Sequence, residues 1–232
     1  MPRAMPRAAL FVCLIACLMP VPPASAGSVA MPVESGGAFA LPVTSIKESR
    51  FRSTVRQQYD YSCGSAAVAT LLGEHYAYPV GEPAVFEEMY RRGDQAKIRR
   101  EGFSMLDMKR YLEAHGFDAD GYVADLDLVG RAGLPAIVLL RENGYNHFVV
   151  VKGVRGDRVL LGDPSLGTRA VARARFDAMW GNHMLFVVHN QRDKARFNSD
   201  EEWSAAPVAN LEQGLNRGVF DATLMLRGPG DF

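Results

Sequence analysis

The sequence predicts an α+β domain in which helices come first and an antiparallel sheet follows. Three observations carry that expectation. Between residues 63 and 115 apolar positions recur at helical spacing, bounded by helix start and stop signals. From residue 136 the character changes to short β-prone runs separated by turn-forming clusters such as Asn143-Gly144 and Arg155-Gly156-Asp157. Helices and strands are grouped rather than alternating, which separates α+β from a parallel α/β sheet.

The folded part is expected to begin near Val55. Residues 63–75 carry Ala66, Ala67, Ala69, Leu71 and Leu72, apolar on more than one side, so they predict a buried helix. A second helix over 82–91 has Pro83 in its first turn and Gly93 just past its end. A third, over 104–115, opens on the pair Ser104 and Asp107, which have the spacing of a capping box, and closes at Gly116. Leu106, Tyr111 and Leu112 are expected to face inward on it, with Lys109, Arg110 and Glu113 outside. A short helical piece over 125–132 follows. Strands are then expected over 136–140, 147–151, 158–161, 168–172 and 184–189, with a helical insertion over 174–180 before the last.

The N-terminus has the anatomy of an export signal. Arg3 and Arg7 precede an uncharged apolar run from Ala8 to Met19, and Ala24-Ser25-Ala26 is a small-x-small cleavage site. The run is short of the ~20 residues that a helix needs to cross a bilayer. The expectation is therefore a signal peptide over 1–26, a flexible lead-in over 27–52 rich in Gly, Ser, Pro and Ala, a main domain over 53–190, and a polar C-terminal tail over 191–232 with a weak helical pattern at 208–215. A competing signal lies in the same segment: Leu14-Ile15-Ala16-Cys17 has the form of a lipobox, in which Cys17 would carry a lipid and anchor the protein.

Cleavage after Ala26 removes Cys13 and Cys17 and leaves one cysteine, Cys63, with 24 basic against 26 acidic residues. Near-neutral charge without a basic stripe argues against a nucleic-acid partner, and no later segment is apolar and long enough to span a membrane. The full chain is 48% hydrophobic, ample for one sizeable core. A lone thiol in an exported protein forms no internal disulfide, so it is buried, paired between molecules, or used.

The setting of Cys63 favours use. In Ser62-Cys63-Gly64-Ser65 a loop turns into a helix, and a thiol at a helix start faces free N–H groups and the positive end of the helix dipole. A thiol nucleophile needs a base, a group to orient that base, and donors for the oxyanion formed at a carbonyl. His147, at the start of a strand after the Asn143-Gly144 turn, is the best base. Asp163 ends the following strand, where hairpin pairing brings it back toward His147, and Pro164 restricts it to extended geometry. Gln57 is the oxyanion donor, together with the Cys63 backbone N–H, and Gln58 is its alternate. Each has a plainer reading: Cys63 as a small buried hydrophobe, His147 as a structural histidine, Asp163 as a turn former. His183, after Gly181-Asn182, is the rival base, but no strand ending in a carboxylate follows it.

The ordered set Gln57, Cys63-Gly64, His147-Phe148-Val149-Val150 and Asp163-Pro164 resembles the double-glycine leader peptidases, the bacteriocin-processing papain-like cysteine peptidases, over about residues 53–190. That resemblance implies a papain-like α+β fold with the N-terminal helices packed on the antiparallel sheet. It implies Cys63 as nucleophile, His147 as general base, Asp163 as its orienting partner and Gln57 as oxyanion donor. It also implies hydrolysis of an exported polypeptide after two small residues, without a metal or other cofactor. Many members place Asp directly before the nucleophile, where this chain has Ser62. Many are domains of ATP-driven transporters, whereas this chain has no Gly-x-x-x-x-Gly-Lys loop. It is similar instead to the stand-alone periplasmic relatives found with functional-amyloid secretion systems, whose other components would be its partners. Two other readings stay open: a non-cleaving binding or chaperone-like subunit that keeps the peptidase fold, and thiol-mediated acyl transfer.

Overall fold

The computed structural model describes residues 28–32, 38–42 and 44–206. The expected signal segment with Cys13 and Cys17 and the helical pattern at 208–215 lie outside the described residues. Within the first of two compact units, 1–45, strand β1 (Ser28–Pro32) pairs antiparallel with β2 (Ala38–Pro42), with Ala30 opposite Ala40. A strand pair thus occupies part of the expected lead-in, where apolar residues alternate at Val29, Met31, Phe39 and Leu41.

The second unit begins at Ile46. A short helix α1 (Ile46–Arg50) precedes the loop to α2 (Cys63–Thr70), which continues as one π-helical turn, Leu71–His75. Every residue of α2 is buried, as its all-round apolar pattern requires. Helix α3 (Glu82–Arg92) starts with Pro83 in its first turn. Helix α4 (Gln95–Glu101) follows, with Asp94 accepting from the Lys97 N–H as its cap. Helix α5 (Met105–Ala114) has the expected capping box, Ser104 and Asp107 each bonding the other's backbone. Its inner face is Met108, Tyr111 and Leu112, whereas Leu106 is 53% exposed. Met108 lies three and four residues before Tyr111 and Leu112, on one helical face, and Leu106 falls outside that arc.

The sheet has six antiparallel strands in the order β3-β8-β4-β5-β6-β7. Strand β3 (Ala119–Val123) forms one edge. After α6 (Leu126–Ala132) come β4 (Ala136–Glu142), β5 (Tyr145–Arg155), β6 (Arg158–Asp163) and β7 (Gly167–Ala172), successive hairpins. Helix α7 (Arg173–Met179) leads to β8 (Met184–Val188), which pairs with both β3 and β4. A 3₁₀ turn (Arg192–Lys194) and helix α8 (Asp200–Ser204) complete the described chain.

Alternation along the central strands divides the core in two. Ile137, Phe148, Val150, Phe186 and Val188 pack with residues of α2, α3 and α5, while Val138, Leu140, Val149, Val151 and Leu185 pack with α6 and α7. Helix α2, which starts at Cys63, therefore lies on one face of the strand that carries His147. Burial of a leucine- or phenylalanine-sized side chain stabilises by ~1.5–3 kcal/mol, so this face is the main force holding helix to strand.

Candidate active site

Three local structures place the candidate residues. The first is the start of α2. Ser62 makes no side-chain cap bond; its hydroxyl instead exchanges hydrogen bonds with Tyr59, accepting from the N–H at 3.1 Å and donating to the carbonyl at 3.0 Å. The first turn is thus left uncapped by that side chain on the side of Cys63. Gly64 packs tightly here, since a Cβ at that position would lie 3.0 Å from Phe103 Cβ. Behind the turn Ser65 Oγ donates to Glu82 Oε1 at 3.0 Å, and Glu82 is buried. Burial raises the Glu82 pKa, against the hydrogen bonds from Ser65 and Ser62.

The second is the β4–β5 hairpin. Asn143 and Gly144 both adopt positive φ, 51° and 83°, and Glu142 pairs with Tyr145 across them, a two-residue turn of the type that Asn-Gly favours. His147 therefore sits third in β5, opposite Leu140, and not at the strand's first position. The third is the β6–β7 turn. The β5–β6 register runs through Val150 opposite Gly162, so Asp163 falls diagonally across from His147 with the same side-chain direction.

These placements join the side chains. His147 Nε2 and Asp163 Oδ1 are 2.8 Å apart, with both residues buried. Asp163 is further held by the N–H groups of Ser165 and Leu166, at 2.9 and 3.2 Å, and by Arg169 Nε at 3.0 Å. Burial works against charge on His147, but hydrogen bonds to Asp163 and to Cys63, with their negative charge, raise its pKa from 6.5 to about 9. The Asp163 pKa is lowered although burial opposes it, because His147 and Arg169 favour the carboxylate. With Nε2 committed to Asp163, Nδ1 is the ring nitrogen left over, and it is buried without a hydrogen-bond partner.

Gln57 sits against the Asp163 turn. Its N–H donates to the Pro164 carbonyl at 3.1 Å, its Oε1 accepts from Ser165 Oγ at 3.1 Å, and its Nε2 donates to the Tyr59 carbonyl at 3.0 Å. Gln58 is exposed. His183 is also exposed, its ring packed on Trp180 at 5.1 Å, and the structure brings it to none of the other candidates. Among the described residues no group of three His, Cys, Asp or Glu side chains gathers as a metal site.

Cys63 is 6% exposed and lies in a cleft of ≈ 600 Å³, with Tyr61, Phe103, Leu139 and Phe148 as apolar walls and Lys97 and Arg100 of α4 at its rim. Tyr145 also borders this cleft, and its hydroxyl donates to the Asp60 carbonyl at 2.7 Å. Sequence reasoning missed Arg169, Glu82 and Tyr145. Arg169 had one available signal, its place two residues after Gly167 on the strand that returns from Asp163.

The family that the chain matches makes it a cysteine peptidase. The chain matches the model of the Peptidase C39 family over residues 52–192 and belongs to that family. It is 42% identical over 215 residues to the "Probable functional amyloid protease FapD" of Pseudomonas fluorescens, covering 92% of this chain and 93% of that protein. It is likewise 42% identical to the protein of the same name from Pseudomonas aeruginosa, over 72% of this chain and 73% of that one. The peptidase domain of Streptococcus ComA superposes with a TM-score of 0.49 and 22% identity, over 59% of this chain and 97% of that chain. The resemblance read from the spacing of Gln57, Cys63, His147 and Asp163 is borne out at the level of family.

Proposed function

We propose that the chain is a cysteine endopeptidase in which Cys63, His147 and Asp163 form the catalytic triad and Gln57 serves the oxyanion. The supporting observation is the single imidazole that holds Asp163 through Nε2, at 2.8 Å, and keeps its buried Nδ1 without a hydrogen-bond partner, with Cys63 among the groups that favour its charge. His147, charged below about pH 9, holds on Nδ1 the proton that Cys63 Sγ has given up, and the sulfur attacks the scissile carbonyl carbon. The oxyanion is held by the Cys63 backbone N–H and by the Gln57 amide, whose second N–H remains after the bond to Tyr59. The imidazolium then protonates the leaving amine, which breaks the C–N bond and leaves a thioester. Water attacks the thioester, giving its proton to His147, and the acid product and free thiol are released.

The substrate in this reading is an exported polypeptide cut after two small residues of the Gly-Gly kind, in the periplasm, as part of a functional-amyloid or peptide secretion system. Support comes from the signal-like N-terminal sequence and from the name shared by the two FapD relatives. Comparing the termini of exported proteins between wild type and Cys63→Ala tests activity and locates the cut. The expected result is loss of one processed terminus in the variant. Unchanged termini would sink the peptidase reading, and an intact secretion phenotype alongside them would favour a non-cleaving binding subunit. The intact mass of the exported protein distinguishes cleavage after Ala26 from lipidation at Cys17.

A further inference from the structure

The family match ends at residue 192, yet the chain beyond it is built into the core. Residues 195–206 cross the ends of two elements remote from their reacting groups. At the end of the Cys63 helix, the Arg196 N–H donates to the His75 carbonyl at 2.9 Å, and His75 Nδ1 lies 2.7 Å from the Arg196 carbonyl. On the His147 strand, the β5–β6 register slips between Val151 and Gly153, leaving Lys152 in a bulge. Asn198 closes that bulge: its N–H donates to the Lys152 carbonyl at 2.9 Å, its Oδ1 accepts from the Val154 N–H at 2.8 Å, and its Nδ2 donates to the Val154 carbonyl at 3.1 Å.

The fit leaves no room for a side chain at residue 153. A Cβ on Gly153 would stand 2.4 Å from Asn198 Oδ1 and 3.0 Å from Trp203 Nε1. Lys152 is fully buried and pairs with the carboxylate of Glu202, itself buried at the base of α8. The same ammonium donates to the Ser53 carbonyl at 2.5 Å and to Ser53 Oγ at 2.9 Å, four residues before Gln57. One buried charge thus ties together the loop that leads to Gln57, the strand of His147 and the C-terminal segment. A lysine without water contact is retained at such a point only where its partners are fixed.

We propose that residues 195–206 form a strap that locks the far ends of the Cys63 helix and the His147 strand together, with Lys152 and Glu202 as positioning residues for the peptidase site. The proposal rests on the roles assigned above to Cys63 and His147. The strap acts at a distance, about 16 Å along β5 from His147 at 3.3 Å per residue, by fixing the strand's bulge and the helix's end rather than by touching substrate. Glu202→Gln takes from the buried ammonium the carboxylate it pairs with, leaving only the charge of Glu74 to act on it, and undocks the strap, whereas Lys152→Met combined with Glu202→Leu replaces the pair by apolar groups of similar size and keeps it docked.

The test uses the full chain. Amide hydrogen exchange at Val154 and Asn198 reports docking, kcat and KM are measured on a Gly-Gly peptide, and iodoacetamide alkylation of Cys63 is followed against pH. Glu202→Gln is expected to speed exchange, to lower kcat by about tenfold or more while KM stays within about twofold, and to slow alkylation; the double variant should restore all three. A released strap with unchanged kcat overturns the proposal. So does a docked double variant that stays slow, which also decides the matter if Glu202→Gln fails to fold. Wild-type protein that cuts nothing removes the peptidase reading instead, and alkylation then judges the strap: slowed by Glu202→Gln it supports positioning, unchanged it overturns it.

Discussion

Replacing Asp163 by Asn keeps the size of the side chain that holds His147 but removes its charge. In the native site His147 has a pKa of about 9 against an ordinary 6.5, because Asp163 and Cys63 outweigh burial. Loss of an adjacent opposite charge typically lowers such a value by about 1–3 pH units, which places the variant ring near pH 7. In the proposed reaction the imidazolium protonates the leaving amine, so the rate follows its charged fraction. At pH 8 that fraction falls from ~0.9 to ~0.1, whereas at pH 6 it stays at ~0.9 or above in both proteins. The variant should therefore lose about tenfold at pH 8, little at pH 6, and its alkaline limb should move from about 9 to about 7. Stability follows with a definite sign. A folded-state pKa above the unfolded one contributes stability that is complete below pH 6.5 and is lost as pH rises through about 9. The difference is worth about 3 kcal/mol and should shrink in the variant. The assays are pH–rate profiles of peptide cleavage and urea unfolding at pH 6 and 9. An equal loss of rate at pH 6 and pH 8 would refute the argument, because it would mean that Asp163 only orients the ring.

His147→Ala should abolish cleavage while His183→Ala leaves it intact; the reverse pattern in a peptide assay would reassign the base. Gly167 has φ of +80° and would place a Cβ 2.8 Å from the Arg50 carbonyl oxygen, so Gly167→Ala should lose at least ~2 kcal/mol in urea unfolding. The buried Glu82 has a raised pKa, so the fold favours its protonated form and gains stability as pH falls through that value. Glu82→Gln should raise the melting temperature at pH 7 and flatten its dependence on pH between 4 and 7; a lower melting temperature at pH 7 would show that the ionised carboxylate is the form the Ser65 and Ser62 hydroxyls require.

The arrangement of the candidate site was legible in sequence because its parts sit at ends of elements that announce themselves. The small, apolar run after Cys63 reads as a buried helix, and Asn143-Gly144 sets a hairpin whose register carries His147. Asp163-Pro164 then marks the end of the next strand, so pairing alone brings the carboxylate back to the ring. Elements held mainly by their surroundings were not legible. Helix α4 is mostly polar, with Ile98 its one buried residue, and β3 contains Asp120 and Gly121, poor strand formers that pairing with β8 overrides. The strap was invisible for a related reason. Its polar residues Arg196, Asn198 and Glu202 look like a solvated tail, because the partners that make them structural are Lys152 and His75, far away in the chain.

The recess around Cys63 bears on what an oxidising environment would do to this thiol. Two thiols must bring their sulfurs to about 2.05 Å to form a disulfide, with matching approach of both backbones. A sulfur on the floor of a walled cleft, 6% exposed, cannot meet its twin in another molecule at that distance. The same walls admit a slender chain or a small oxidant, so sulfenic acid is the form in which this thiol would be lost. Unpaired survival, rather than shelter from all chemistry, is what the recess provides.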